Sequence, residues 1–265
     1  MSAPIGWVAG KNDSMIAIIE KLNLTANLKL CLDAGDINSY PGSGTKWLDT
    51  SGNGYDFDFG DGSTSSTYPT FNGVAGNLSA NEFFSSDGGD YFSYDSANEP
   101  WMDELHNAGK SLSIVGVWTS PGTAYWISSG LNSVSSGVSL TSYSAGLEYY
   151  VYNAPSGISN LILTSTPYYE GPSSKMSVVG FSNTENSGDT LIPMGKGITL
   201  PALSSVFSAS NSGTPSVAFK LGARPDLATL LPSGAKIACL AVWVDVKLTQ
   251  SELQAIANKL QFRFG

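Results

Sequence analysis

Alternation of apolar and polar residues runs through most of the chain and predicts short β-strands. From Leu28 to Asp33, leucine occupies every second position, as expected of a half-buried strand. Because no helical periods separate the segments that follow, the pattern predicts a sandwich of antiparallel sheets. The further predicted strands lie near 81–85, 90–94, 111–119, 124–129, 136–140, 146–152, 160–165, 175–182, 189–194, 216–222 and 236–246.

Short helices are predicted near both ends of the chain. Residues 14–22 carry apolar side chains at helical spacing, and Asp13 or Ser14 is placed to cap the first turn. This helix is expected to cover one end of the sandwich. Near the C-terminus, Thr249 and Glu252 form a capping box that opens a second helix after the last apolar strand.

The chain is predicted to form one domain with a small N-terminal addition. No internal repeat, linker or charge run divides it. We assign residues 1–27 to an irregular arm and short helix, and residues 28–265 to the sandwich, a size at which all-β folds still form single domains. The 29 glycines and the 13% of charged residues fit strands joined by tight turns.

Charge and cysteine content argue against several classes of function. The net charge is −9 and the 13 Lys and Arg residues are scattered singly, so no basic stripe is present to bind nucleic acid. Cys31 and Cys239 lie in apolar runs and are predicted to be buried thiols, although pairing of the first and last long strands would bring them together. The N-terminus has no signal-peptide pattern, and the longest apolar run is too short for a transmembrane segment.

Several segments, in a fixed order, resemble the laminin-G-like, concanavalin A-like jelly-roll family. They cover nearly the whole chain from Leu28 onward. The resemblance implies an all-β, antiparallel two-sheet jelly-roll sandwich whose first and last strands lie near each other, in agreement with the strand pattern. The segments are Leu30–Asp36, Ser39–Gly54 with its W-x-D-x-SGNG turn, Ser86–Tyr91, Lys220–Ala223 and Val242–Glu252.

The opening block, with LDAGD and YPGSG, is similar to the version carried by virion proteins of tailed bacteriophages. The resemblance implies a non-enzymatic structural role in the virion, as a capsid decoration or as a component of a fibre or tail. It also implies other virion proteins as partners, assembly in the host cytoplasm, and a homo-oligomer such as a trimer. A carbohydrate-binding or adhesion module is the alternative. Attachment of a virion to host-surface glycans would combine the two.

The sequence offers no recognisable catalytic set. Glucanases related to this fold use paired carboxylates on one strand, whereas Glu148 stands alone and Asp103 lies beside a predicted turn. His106, the single histidine, has no nucleophile elbow to serve and is predicted to be a capping or surface residue. One histidine and two distant cysteines also cannot supply a zinc site. We therefore predict no enzyme activity.

Oxygen-rich side chains in the loop over residues 33–62 make calcium the one candidate cofactor. The segment Asp56–Gly62 departs from a calcium loop, since Gly60 stands at its fifth position and no glutamate follows at the twelfth. The alternative is that these side chains fix turns through hydrogen bonds to the backbone. The candidate ligands are Asp33, Asp36, Asp49, Asn53, Asp56 and Asp58.

Aromatic side chains are the candidates for a ligand-binding or subunit surface. In strand 146–152, Tyr150 and Tyr152 share a face with Glu148, opposite the face that carries Tyr149. A sandwich of this size also needs aromatic filling, so core or subunit packing competes with sugar contact at each position. The candidate residues are Trp7, Trp126, Tyr150, Tyr152, Tyr168 and Tyr169.

Overall fold

Strands make up most of the regular structure in the computed structural model, which describes residues 12–94, 99–107, 110–132, 134–143, 146–152, 158–165, 176–184, 190–191, 194–195, 198–199, 203–204 and 213–264. The α-helices are α1 (Met15–Lys21), α2 (Pro100–Asp103) and α3 (Gln250–Phe264). The strands are β1 (Leu28–Asp33), β2 (Lys46–Trp47), β3 (Phe57–Phe59), β4 (Thr70–Asn72), β5 (Phe83–Ser85), β6 (Phe92–Ser93), β7 (Ser111–Thr119), β8 (Ala124–Ser128), β9 (Gly137–Tyr143), β10 (Gly146–Tyr152), β11 (Ile158–Ser165), β12 (Ser177–Thr184), β13 (Thr190–Leu191), β14 (Met194–Gly195), β15 (Ile198–Thr199), β16 (Leu203–Ser204), β17 (Lys220–Leu221) and β18 (Lys236–Val244).

Two antiparallel sheets pack against each other. The first has the order β15-β14-β12-β7-β18-β5-β4, with β1 also paired to β18, and the second has the order β11-β10-β9-β8-β17-β6-β3-β2. The first and last long strands, β1 and β18, are antiparallel neighbours from the pair Leu28–Trp243 to the pair Asp33–Cys239. The predicted two-sheet sandwich, with its first and last strands adjacent, is therefore confirmed.

Strand β18 divides the apolar residues of the protein into two clusters. Leu240 and Val242 face the core between the two sheets, whereas Ala241 and Trp243 face a second cluster that includes side chains of α1 and α3. Because β18 is buried on both faces, its sequence is a continuous apolar run rather than an alternating one. The helices α1 and α3 thus cover the first sheet on the side away from the second sheet.

The C-terminal helix α3 begins with the predicted capping box. The Thr249 amide donates to the Glu252 carboxylate over 2.7 Å, and the Glu252 amide donates to the Thr249 hydroxyl over 3.3 Å. These two bonds satisfy backbone amides that an uncapped helix would leave without partners. Within the part of the chain that the structure describes, no helix has both the length and the apolar composition needed to cross a membrane.

Both cysteines are buried free thiols, as predicted. In the β1–β18 ladder Cys31 lies opposite Ala241, and Cys239 lies opposite Asp33. Burial raises the pKa of each thiol well above its usual value. Because the thiolate is the reactive form, neither cysteine is suited to act as a nucleophile.

Candidate functional site

A cleft lies on the second sheet where β8, β9 and β10 are neighbours. Its volume is about 490 Å³, and four tyrosines provide its aromatic lining. Residues from the β8–β9 loop and from the loop after β17 complete it. We term this surface the tyrosine cleft, and its lining residues are Tyr125, Tyr143, Tyr150, Tyr152, Leu131, Asn132, Val134, Arg224 and Asp226.

The alternation of side chains along β10 explains why two tyrosines line the cleft. Leu147, Tyr149 and Val151 lie in the core between the sheets, so Tyr150 and Tyr152 project from the outer face. Their rings are stacked, with centroids 6.1 Å apart and an interplanar angle of 15°. The structure therefore places Tyr150 and Tyr152 on the face predicted from the sequence.

Hydrogen bonds hold the hydroxyl groups of these tyrosines. The Tyr152 hydroxyl oxygen lies 3.0 Å from Oγ of Ser139, and the Tyr150 hydroxyl donates to the Glu148 carboxylate. Burial raises the pKa of Tyr150, and its hydrogen bonds to Glu148 and Tyr143 raise it further. Tyr150 therefore stays protonated at neutral pH and serves the cleft as an uncharged group.

A bidentate ion pair lies at one side of the cleft. Nε and Nη2 of Arg224 donate to the two carboxylate oxygens of Asp226 over 2.8 Å and 2.5 Å. The hydrogen bond from Arg224 lowers the pKa of Asp226, and the Ala228 amide donates to the same carboxylate over 3.1 Å. Leu227, which lies between Asp226 and Ala228, has a φ of 60°, in the left-handed region. The loop is thus fixed by its own side chains, and Nη1 of Arg224 takes no part in the pair.

The cleft combines tyrosine rings with polar side chains. A sugar ring has the matching character, since one face presents C–H groups and the rim presents hydroxyl groups. The half-buried rings of Tyr125, Tyr143 and Tyr150 suit the face, and Arg224 with Asp226 offers donors and acceptors for the rim. Among the described residues that line the cleft, Asp226 supplies the single carboxylate, and its bond to Arg224 leaves it poorly placed to act as an acid or base.

Asp33, predicted as a calcium ligand, is instead the centre of a buried hydrogen-bond cluster. Its side chain is fully buried and accepts the amides of Met15 and Gly35, each over 2.9 Å. Nη1 of Arg263 lies 2.8 Å from both of its carboxylate oxygens. The first amide of α1 is thus capped by Asp33, and the N-cap residue Ser14 makes no side-chain cap bond, which corrects the sequence-based prediction.

The other predicted calcium ligands hold turns around β2 and β3. Asp49 accepts the amides of Cys31 and Ser51, each over 2.9 Å. Within the described residues, no three His, Cys, Asp or Glu side chains are arranged to hold a metal ion, so the predicted set is not brought together. The turn-fixing alternative explains their positions. The remaining contacts are Asp56 with the Asp49 amide, Asp36 with the Asn38 amide, Asn53 with the Leu28 carbonyl, and Asp58 with Lys46.

The structure divides the predicted aromatic set between core and surface. Trp126 is fully buried and stacks on Trp118, with ring centroids 5.0 Å apart and 17° between the planes. Its assignment to a ligand-binding or subunit surface is therefore wrong, because it fills the core. Trp7, Tyr168 and Tyr169 lie outside the described residues.

Of the nine residues that line the cleft, the sequence pattern selects only Tyr150 and Tyr152. Tyr143 lies beyond the predicted strand 136–140, whereas β9 continues to it, and carrying the alternation three residues further would have found it. Arg224 and Asp226 lie in a turn, where no periodic pattern indicates which side chains meet. Because Arg224 and Asp226 are two residues apart, they can form a local ion pair, but this spacing does not show that the pair lies beside β10.

His106 is a core residue, which corrects the prediction of a capping or surface position. Its side chain is fully buried, and Nε2 lies 2.7 Å from the carbonyl oxygen of Gly213. Burial lowers its pKa, so the imidazole is neutral at neutral pH. The contact ties the turn after α2 to the segment that leads into β17, and we assign His106 a structural role.

Solved structures of botulinum neurotoxins share this fold. The chain is similar to botulinum neurotoxin type C, which depends on interaction with two ganglioside molecules to enter cells, with a TM-score of 0.58, 15% identity, and coverage of 91% of this chain and 53% of that one. The serotype D/C binding domain gives a TM-score of 0.58 at 14% identity, with coverage of 90% and 53%. A serotype DC binding domain in complex with SialylT gives 0.58 at 13%, with coverage of 90% and 52%.

The likeness to these structures lies in the fold. The chain spans about half the length of the solved structures that it matches. At such identity the likeness shows the fold, a β-sandwich used in binding domains, and the molecules named in those complexes belong to those proteins. No model of a known protein family matches the chain, and no curated protein matches it by sequence.

Proposed function

We propose that this protein is a non-catalytic binding module that recognises carbohydrate through the tyrosine cleft. The observation that carries the proposal is the stacked pair of Tyr150 and Tyr152 on an outer sheet face, beside the ion pair of Arg224 and Asp226. Aromatic side chains left at a surface with hydrogen-bonding neighbours are typical of binding sites. The use of the same fold in neurotoxin binding domains supports a binding role.

The experiment that tests this function is a glycan array, run at high protein concentration with and without calcium. Binding to a defined group of glycans supports the proposal, and dependence of that binding on calcium would support the calcium prediction. A complete absence of hits under both conditions would contradict carbohydrate recognition by this protein. Titration of the best glycan by calorimetry then gives the affinity with which variants are compared.

Replacing Tyr150 with alanine is expected to weaken binding of that glycan about tenfold or more, which corresponds to a contact worth about 1.4 kcal/mol. The reason is that the substitution removes the more exposed ring of the stacked pair. Phe262→Ala is the matched control, because Phe262 is a 76% exposed aromatic residue on α3, away from the second sheet. Equal affinities of the two variants would show that the cleft is not the binding surface.

A structural role in the virion of a tailed bacteriophage is a second proposal, supported by the resemblance of the opening block Leu30–Gly54. It predicts a homo-oligomer, such as a trimer, that binds capsid or tail particles. Light scattering after gel filtration, with and without a calcium chelator, measures the mass of the assembly. A protein that stays monomeric and does not bind particles lacking it would contradict this role, while leaving carbohydrate recognition untouched.

A further inference from the structure

The charged side chains around the tyrosine cleft affect which kind of glycan it can bind. Among the described residues that line the cleft, Arg224 is the single cation. Its guanidinium is already bonded to Asp226 through Nε and Nη2, so the two side chains compensate each other's charge. Glu148 adds a carboxylate next to this surface through its hydrogen bond with the Tyr150 hydroxyl.

An anionic sugar meets unfavourable electrostatics in this arrangement. A carboxylate or sulfate that leaves water must gain a dedicated cation or several donors to offset its lost hydration. Arg224 can offer such a group only Nη1 while Nε and Nη2 stay bonded to Asp226, and the anionic group would then lie beside the like charge of the Asp226 carboxylate. The Glu148 carboxylate and the net charge of −9 on the chain add repulsion of the same sign.

A neutral sugar meets favourable chemistry at the same place. Its hydroxyl groups find an acceptor in the Asp226 carboxylate and a donor in Nη1 of Arg224, which the ion pair leaves unused. Its C–H face finds the half-buried rings of Tyr125, Tyr143 and Tyr150. None of these contacts requires the Arg224–Asp226 pair to break.

We infer that the tyrosine cleft selects neutral glycans and discriminates against their sialylated and sulfated counterparts. The inference rests on the proposed carbohydrate-binding function and adds the substrate class. It also separates this chain from the similar neurotoxin structures, which are described with gangliosides and with SialylT.

The test is a glycan array that pairs each neutral glycan with its sialylated and sulfated forms, followed by calorimetric titration of the best pair. Binding of the neutral member at least about tenfold more tightly, a difference of about 1.4 kcal/mol, supports the inference. Equal or tighter binding of the anionic member overturns the inference and leaves the proposed function standing. Binding of neither member anywhere on the array overturns the proposed function itself.

Two further measurements test whether charge is the cause. Asp226→Asn leaves Arg224 without its counter-charge and is expected to tighten binding of the anionic glycan relative to its neutral partner, so that the difference between their affinities narrows several-fold. Glu20→Gln removes the same charge from an exposed position on α1 and should leave the difference unchanged. Raising the salt concentration should narrow the difference in the parent protein. If the difference in affinity between the neutral and anionic glycans changes neither in Asp226→Asn nor with salt, the electrostatic basis of the inference is overturned.

Discussion

Replacing Arg263 with methionine is expected to lower the free energy of unfolding by about 3–5 kcal/mol, because the Asp33 carboxylate then stays buried without its counter-charge. The side chains of Arg263 and Asp33 are 1% and 0% exposed. Nε of Arg263 also donates to the Ser79 carbonyl over 3.0 Å, so the variant leaves a second acceptor without its partner. Urea denaturation followed by tryptophan fluorescence measures the loss.

The second arginine of the chain supplies the matched control. Arg224 also binds an aspartate bidentately, but the side chains of that pair are 36% and 32% exposed. Arg224→Met is therefore expected to change stability by no more than about 1 kcal/mol. The double variant Asp33→Asn, Arg263→Met should recover part of the loss, since the uncompensated charge is gone. Equal losses for the two arginine variants would contradict a dominant role for burial.

The pattern of apolar residues, alternating in some strands and continuous in others, is sufficient to locate the long strands of this fold. The predicted ranges 111–119 and 146–152 coincide with β7 and β10, because each is long enough to show its pattern. Strands β2 and β3 have two and three residues and lie in a loop rich in Asp and Gly, where a period of two cannot be recognised. The strand pattern therefore predicts the sandwich but misses two strands of the second sheet.

Contacts between distant residues explain most of what the sequence does not reveal. An aspartate at the end of a strand resembles a loop ligand, and only the fold shows that Asp33 meets Arg263, 230 residues later. The tyrosine cleft is similar in this respect. Tyr150 and Tyr152 follow from the period of β10, whereas the position of Arg224 depends on how the turn after β17 packs beside them.

Trp126→Ala is expected to lower the free energy of unfolding by about 3–5 kcal/mol, the usual cost of deleting a buried aromatic side chain. Trp126 stacks on Trp118, and its Nε1 donates to Oγ of Ser142 over 3.1 Å. The variant loses both contacts and leaves the Ser142 hydroxyl buried without its donor. Chemical denaturation measures the loss of stability. Glycan titration under conditions well below the unfolding transition measures binding by the molecules that stay folded.

Tyr125→Ala, at the neighbouring position, is expected to affect glycan binding more than stability. Tyr125 lines the cleft, so its removal is expected to weaken glycan binding about tenfold while stability changes by only about 1 kcal/mol. The two residues are adjacent, yet the register shift between Tyr125 and Ile127 lets both Trp126 and Ile127 face the core. Two results would contradict the assignment of Trp126 to the core and of Tyr125 to the cleft. One is a loss of glycan binding in Trp126→Ala at unchanged stability, and the other is a loss of stability in Tyr125→Ala at unchanged binding. Because the cleft is defined by which residues of β8 and β10 point outward, either result would remove the tyrosine cleft as the binding surface.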